Sequence, residues 1–141
     1  MNQNILYFCT AKIRKKMIAK YSGLVVHGLK NGRKFGYPTV NILLDKNMYM
    51  PDNGVFAVEV YLFDKIWSGM LYIGTRATLD LNERTIEIHI FDFNQDIYNL
   101  PIQFTILKKI RDDQVFENVD QLISQIQKDE LEIKNFFANR S

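Results

Sequence analysis

Short runs of β-branched and aromatic residues recur from Leu24 onward, and in the later runs apolar and polar positions alternate. Such runs, separated by turn signals, are typical of β-strands. Short strands at regular spacing predict an antiparallel sandwich or barrel. We expect strands over residues 24–27, 40–44, 55–63, 66–73, 85–93 and 102–110.

The C-terminal stretch changes to a helical period. Its apolar residues recur three and four positions apart, which predicts a helix over about 119–137 with one face against the sheet. Asn118 and Gln121 form a capping-box pair that predicts the start of this helix. A closed barrel covered by a helix exposes few strand edges, so we expect a monomer. The apolar positions are Val119, Leu122, Ile123, Ile126, Ile133, Phe136 and Phe137.

Composition narrows the class of protein. The chain has 141 residues, 47% of them hydrophobic and 24% charged, as in soluble single-domain proteins. No apolar run approaches the roughly 20 residues of a membrane span. With one cysteine, Cys9, the chain offers neither an internal disulfide nor a cysteine-rich zinc site. With two histidines, His27 and His89, we do not expect a histidine-based metal site either. Residues 5–9 are too short for a signal-peptide core, so we expect a cytoplasmic protein.

The net charge of +2 conceals a strong asymmetry. Residues 1–44 carry eight basic side chains and no acidic one, whereas residues 45–141 carry a net charge of −6. This asymmetry indicates that the first third of the chain faces an anion, either nucleic acid, a membrane surface or a nucleotide phosphate, or is simply a solvated basic tail. Residues 1–22 resemble an appended segment, with a short helix expected over 12–20.

A glycine-rich loop over residues 28–37 is the most informative segment. Glycines occur at every fourth position, with Lys30, Arg33 and Lys34 between them. Backbone N–H groups in such a loop can form an anion-binding concavity. The sequence is neither a Walker A loop nor a dinucleotide fingerprint, because Gly-Lys-Ser/Thr is missing and Pro38 prevents a helix from starting there. The alternative is a flexible hairpin loop.

Two oxygen-bearing side chains follow this loop. In an extended chain, Thr39 and Asn41 project to the same face. Both offer hard, neutral oxygen ligands, and magnesium commonly combines a few such ligands with water and substrate phosphates. The alternative is that both side chains satisfy backbone groups of a turn.

Glu87 stands inside an apolar strand. Ile86, Ile88 and Ile90 share one face of this strand and Glu87 and His89 the other, and either face suits the barrel interior. A buried carboxylate without a partner is costly, so a role near a cation or a substrate hydroxyl would account for Glu87. The alternative is a solvent-facing Glu–His pair, and a lone histidine is more often a structural residue than a catalyst.

Several motifs, in order from about residue 23 to 137, resemble the riboflavin kinase (flavokinase) family, which also forms the C-terminal half of bifunctional bacterial flavin-synthesis enzymes. The resemblance implies a six-stranded antiparallel Greek-key β-barrel with a C-terminal α-helix. It also implies transfer of the γ-phosphate of ATP to the ribityl 5′-hydroxyl of riboflavin, giving FMN and ADP. The motifs are GLVVHG (23–28), GRKFGYPTVN (32–41), GVFAV (54–58), IEIHIFDF (86–93), DIY (96–98), IRDDQVF (110–116) and LISQIQKD (122–129).

The resemblance also implies roles for individual residues. Glu87 would orient or deprotonate the hydroxyl, and Thr39 and Asn41 would hold Mg²⁺. Arg111 and Phe116 would belong to the flavin-side loop. The nucleotide-binding residues would be Gly28, Lys30, Gly32, Gly36, Pro38, Thr39, Ile97 and Tyr98. We expect residues 23–141 to form the kinase-like domain, with riboflavin, FMN, ATP and ADP as partners, and neither a membrane nor a nucleic acid.

The chain departs from the family pattern at three places. Ala77 stands where the family usually has proline, Asn99 stands where it usually has glycine, and residues 1–22 match no part of the family pattern. The family's His-x-Gly-His adenylylation motif is missing, so we expect FMN but not FAD as a product. The alternative function is a non-catalytic flavin or nucleotide sensor, or an RNA-binding regulator that uses Lys12, Arg14, Lys15 and Lys16.

Overall fold

The computed structural model describes residues 20–28, 36–45, 48–77 and 82–140, and within them the chain forms six strands and one helix. The six predicted strands and the predicted C-terminal helix are confirmed, with ends that differ by several residues at most. The elements are β1 (Lys20–Val26), β2 (Val40–Leu44), β3 (Gly54–Leu62), β4 (Lys65–Ala77), β5 (Asn82–Ile90), β6 (Pro101–Asp112) and α1 (Val119–Ala138).

The strands close into an antiparallel barrel in the order β1-β2-β5-β4-β3-β6. The order places β2, which carries Asn41, directly beside β5, which carries Glu87. The predicted six-stranded barrel with a C-terminal helix is therefore confirmed.

The barrel interior is filled by branched and aromatic side chains. Phe104 and Leu71 are fully buried there, together with Ile88 of β5. The two open alternatives for β5 are thereby resolved: the isoleucine face lines the interior, and Glu87 and His89 lie on the outer face.

Helix α1 covers one outer side of the barrel. Its Ile133 is fully buried against Val55 and Ala57 of β3 and Met70 of β4. The predicted cap is present, since the Gln121 N–H donates to Asn118 Oδ1 at 2.9 Å. The Gln121 side chain accepts from the N–H of Glu117, the residue before Asn118, at 3.2 Å. The two bonds satisfy backbone donors at the helix start.

Asn99 occupies the left-handed region with a φ of 68°. Asparagine tolerates this conformation better than most residues, so the turn survives without the glycine usual in the family. Its N–H donates to the carbonyl of Val25 at 2.9 Å, which fixes the turn to β1.

Several sequence predictions fall on the N-terminal segment. Residues 1–19 lie outside the described ranges, and with them nearly all of the helix expected over 12–20 and the basic cluster of the RNA-binding alternative. Lys20 is the first residue of β1 and pairs with Thr105 of β6. The division into an extension over 1–22 and a domain over 23–141 stays a prediction. In the ranges that are described, no helix combines the length and the apolarity needed to cross a bilayer.

Candidate active site

Two depressions meet on the outer surface of the barrel. The larger, which we call the helix-side cavity, has a volume of about 410 Å³ and lies between the outer sheet face, α1 and the loop over residues 113–118. The smaller, the polar cleft, has a volume of about 210 Å³ and lies at the end of β1 beside residues 95–98. Thr39 lines both.

The junction of the two depressions holds a hydroxyl–carboxylate pair. Thr39 Oγ1 donates to Glu87 Oε1 at 3.0 Å, and both side chains are partly buried. Glu87 is also the register partner of Asn41 in the β2–β5 pairing. The structure thus brings together Thr39, Asn41 and Glu87, which the sequence spreads over 49 positions.

Asn41 and Gly28 interlock in the polar cleft. A Cβ atom at Gly28 would lie 2.1 Å from Cγ of Asn41, so only glycine leaves room for the amide where it stands. Thr39 and Asn41 both line this cleft. Among the described residues, no three histidine, cysteine, aspartate or glutamate side chains cluster closely enough to hold a metal ion by themselves. A threonine and an asparagine supply neutral oxygens, and they fit a magnesium ion that takes its remaining ligands from phosphates and water.

The segment leading into Thr39 is held from two sides. His89 Nδ1 lies 2.7 Å from the carbonyl oxygen of Pro38, and the His89 and Tyr37 rings meet in a T-shaped contact with centroids 5.5 Å apart. The Tyr37 hydroxyl donates to Glu130 of α1 at 3.4 Å. Burial, followed by the Glu130 carboxylate, raises the pKa of Tyr37, so its hydroxyl stays protonated and can donate. His89 therefore has the hydrogen-bonded structural role that is usual for a lone histidine.

The expected adenine-side residues lie along the polar cleft. Ile97 is buried, and Tyr98 is about half exposed with its ring stacked on His27 at a centroid distance of 3.6 Å. Gly36 is exposed, with a φ of 83° that favours glycine. Two other expected phosphate-loop residues, Lys30 and Gly32, lie outside the described ranges.

Arg111 anchors the end of β6 to α1. Its Nε donates to both carboxylate oxygens of Asp129 at 2.9 Å, and Nη2 lies 2.8 Å from Oδ2. Asp129 is 2% exposed and also accepts from Gln125 at 3.0 Å. The guanidinium lies 5.7 Å from the centre of the Phe116 ring, and Phe116 lines the helix-side cavity. Arg111 is thus bound to the helix and lies beside the ring of Phe116.

Tyr72 of β4 is a cavity residue that the sequence reasoning missed. Its hydroxyl donates to Asp113 Oδ1 at 3.2 Å. Burial, followed by the nearby carboxylates of Asp113 and Glu87, raises the pKa of Tyr72 to about 12. Asp129 was missed as well, although its position on the apolar face between Ile126 and Ile133 is a signal that could have found it.

The match to known proteins covers most of the chain. The family model described as "Flavokinase: Riboflavin kinase" matches residues 7–137. The chain therefore belongs to the riboflavin kinase family.

Two curated relatives are named bifunctional riboflavin kinase/FMN adenylyltransferase. The Escherichia coli (strain K12) protein is 43% identical over 118 residues, which span 83% of this chain and 37% of the relative. The Bacillus subtilis (strain 168) protein is 35% identical over 120 residues, 83% of this chain and 38% of the relative. This chain thus aligns with less than two-fifths of the length of these relatives.

Two solved structures share the fold. One, titled as a macrolide-efflux protein from Streptococcus pneumoniae, is 38% identical with a TM-score of 0.81, over 99% of this chain and 45% of that chain. The riboflavin kinase of Trypanosoma brucei is 22% identical with a TM-score of 0.60, over 85% of this chain and 80% of that chain. At this identity the second likeness concerns the fold alone.

Proposed function

We propose that this chain transfers the γ-phosphate of ATP to the ribityl 5′-hydroxyl of riboflavin. The observation that carries the proposal is the contact between Thr39 Oγ1 and Glu87 Oε1, placed where the helix-side cavity meets the polar cleft. In the reaction the riboflavin O5′ forms a bond to the γ-phosphorus, and the bond from that phosphorus to the β,γ-bridging oxygen breaks. The products are FMN and ADP, and the hydroxyl proton leaves through Glu87.

The two depressions suit the two substrates. A planar, largely apolar flavin ring is bound by burial against apolar and aromatic surfaces, and Phe116, Leu122 and Ile126 provide such a surface in the helix-side cavity. Its volume of about 410 Å³ lies within the usual range for small-molecule sites. The polar cleft would take the nucleotide, with the stacked His27 and Tyr98 rings beside the adenine.

Glu87 would act as the general base, or orient the hydroxyl for attack. Its carboxylate is held by Thr39 and lines the helix-side cavity where that cavity meets the polar cleft, the place where the 5′-hydroxyl must arrive. A general base typically contributes about 10²–10⁴-fold to the rate. Phosphoryl transfer through a loose transition state otherwise depends on positioning and charge stabilisation, which suits a site with few reactive side chains.

Thr39 and Asn41 would hold magnesium through their side-chain oxygens. Bound magnesium offsets the charge of the phosphate oxygens during transfer. Gly28 serves this site by leaving the room that the Asn41 amide occupies. His89 serves it by holding the carbonyl of Pro38, one residue before Thr39.

The remaining expected residues would bind substrate through loops. Gly28, Lys30, Gly32, Gly36 and Pro38 would form the phosphate loop, and Ile97 and Tyr98 the adenine side. Arg111 would act through Asp129 to order the flavin-side loop, in which Phe116 offers the contact surface. Dependence on ATP supports the expectation of a cytoplasmic enzyme, and its monomeric state stays a prediction.

The direct test is to incubate the purified protein with riboflavin, ATP and magnesium and to separate the flavins by chromatography. We expect FMN, and none when ATP or magnesium is omitted. Absence of FMN from the complete mixture would overturn the proposal.

The magnesium assignment needs its own measurement. Asn41→Ala should raise the magnesium concentration needed for half-maximal turnover, since one of the two proposed protein ligands is lost. Asn135→Ala, on the exposed side of α1, is the matched control and should titrate as the wild type does. Equal magnesium dependence in all three proteins would remove Asn41 from the metal site.

A further inference from the structure

The hydroxyl of Tyr72 makes a hydrogen bond across the edge of the helix-side cavity that phosphoryl transfer does not use. Tyr72 lies in the middle of β4, where its Cα pairs with Glu87 on β5 and with Val55 on β3. The acceptor, Asp113 Oδ1 at 3.2 Å, belongs to the first residue after β6. This bond therefore joins the sheet that floors the cavity to the loop over residues 113–118.

Gly74 makes room for this contact. Residues 72 and 74 project to the same face of the strand. A Cβ atom at Gly74 would lie 2.1 Å from the Tyr72 hydroxyl oxygen and 2.4 Å from Cζ. The phenol ring therefore lies along β4 over Gly74, in space that any other residue would occupy, and its hydroxyl reaches Asp113.

The hydroxyl is held in the form that can donate. Burial raises the pKa of Tyr72 to about 12, and the carboxylates of Asp113 and Glu87 act in the same direction while Arg111 opposes them. The phenol thus stays neutral at any pH at which the enzyme would work. The same oxygen of Asp113 accepts from the N–H of Gln114 at 2.9 Å, so one carboxylate connects Tyr72 to the loop backbone.

The loop between β6 and α1 is secured firmly at both ends. At its start, the partly buried Arg111 pairs with the buried Asp129, and at its end Asn118 caps α1. Between these ends Val115 is 95% exposed, whereas Phe116 faces the cavity. Within the described residues, no other hydrogen bond from residues 113–117 reaches the cavity floor.

We propose that Tyr72 is a positioning residue for the loop over residues 113–118. Its hydroxyl holds Asp113, and with it Phe116, at the edge of the cavity, and so slows the release of the flavin. The identity of the released ligand rests on the proposed function, whereas the contact itself does not. A single hydrogen bond to an exposed carboxylate is a modest constraint, so about a three- to tenfold effect on loop opening is expected.

The contact is tested first without any ligand, by hydrogen exchange of the loop amides. Tyr72→Phe removes the hydroxyl and keeps the ring, and Asp113→Ala removes the acceptor. Both should speed exchange over residues 113–117 about three- to tenfold and leave α1 unchanged. Tyr72→Phe should add nothing in the Asp113→Ala background, because partners in one contact are not additive. Tyr61→Phe, which loses a hydroxyl bonded to Thr105 away from the cavity, is the matched control.

The consequence is tested by the dissociation rate of FMN, followed by the recovery of its fluorescence after dilution. Tyr72→Phe should speed dissociation about three- to tenfold and leave the KM for ATP unchanged. Exchange and dissociation rates equal to those of the wild type, or effects that add in the double variant, would overturn the proposal. If Tyr72→Phe does not fold, Asp113→Asn is compared with Asp113→Ala. Asp113→Asn keeps an acceptor oxygen and should exchange as slowly as the wild type. Equal exchange rates in the two Asp113 variants would overturn the proposal.

The two proposals fail in different ways. Fast exchange in Tyr72→Phe together with no FMN from the wild type would leave the loop contact intact and reject the kinase. FMN from the wild type together with unchanged exchange in Tyr72→Phe would leave the kinase intact and reject the positioning role.

Discussion

The two faces of β5 have different compositions and different tasks. The inner face repeats one residue type, since Ile86, Ile88 and Ile90 all enter the barrel core. On the outer face Glu87 contacts Thr39 and His89 contacts the carbonyl of Pro38. A strand alternates its faces at every residue, so the stabilising positions and the proposed catalytic position stand next to each other here and remain separable. Substitutions at neighbouring positions should therefore have unrelated effects.

The largest effect is expected from Glu87→Gln. The variant keeps the shape of the side chain and its contact with Thr39 but loses the basic oxygen, so kcat should fall about 10²–10⁴-fold. The thermal midpoint should stay within a few degrees of the wild type. Glu59→Gln, on the outer face of β3, is the matched control and should retain kcat. Full turnover by Glu87→Gln would show that the outer face of β5 does not carry the chemistry.

Ile88→Ala should lower the stability of the protein and leave kcat nearly unchanged, the reverse of Glu87→Gln. The side chain is fully buried in the barrel interior, so its truncation should lower the free energy of unfolding by about 2–5 kcal/mol. Urea unfolding measures this loss, and kcat measured on the folded fraction should stay within about twofold of the wild type. A fall in kcat comparable with that of Glu87→Gln would mean that the two faces are not separable.

His89→Ala should give an intermediate result. Loss of the hydrogen bond to Pro38 should cost about 1 kcal/mol of stability. Because Thr39 follows Pro38 directly, a small displacement of this segment should also lower kcat/KM for ATP by about tenfold. Steady-state kinetics and urea unfolding of the same preparation measure both effects. Unchanged kinetics with reduced stability would assign His89 to the fold alone.

The smallest expected effect is on the pH dependence of stability, and it concerns Tyr72 on β4, the strand beside β5. The pKa of Tyr72 is raised to about 12, so the folded state holds this proton more tightly than the unfolded chain, where tyrosine titrates near 10. The resulting contribution to stability is fully present below about pH 10 and is lost as the pH rises toward 12. Urea unfolding at pH 9 and pH 11 should therefore show a smaller decline for Tyr72→Phe than for the wild type. Equal declines in stability for the two proteins would contradict the raised pKa of Tyr72.

Local patterns made the elements predictable but not their arrangement. The strands, the helix and its Asn118 cap follow from signals within a few residues of each other. The pairing of β2 with β5 joins positions more than 40 residues apart. The pattern alone left the orientation of Glu87 open, because the same alternation continues to Phe91 just beyond β5, and Phe91 is buried in the cluster that contains Ile133 of α1.

The candidate site was predictable in part for the same reason. Thr39 and Asn41 stand two residues apart, so their common face follows from strand geometry. The partners of Arg111 and Tyr72 do not follow from strand geometry. Asp129 lies on α1, and Asp113 lies on a loop that is distant from β4 in the sequence. Asp113 shows no local periodicity that would single it out, whereas Asp129 does stand on the apolar face of α1 between Ile126 and Ile133.

Among the strand pairings of the described residues, the seam between β2 and β5 is the shortest, with Val40 opposite Ile88 and Asn41 opposite Glu87. The same seam brings Thr39 and Asn41 to Glu87. A chain in which this seam is still open would lack the contact between Thr39 and Glu87, even with its other strands paired. Turnover of riboflavin during refolding would therefore report the closing of this seam, separately from the formation of the other strand pairs.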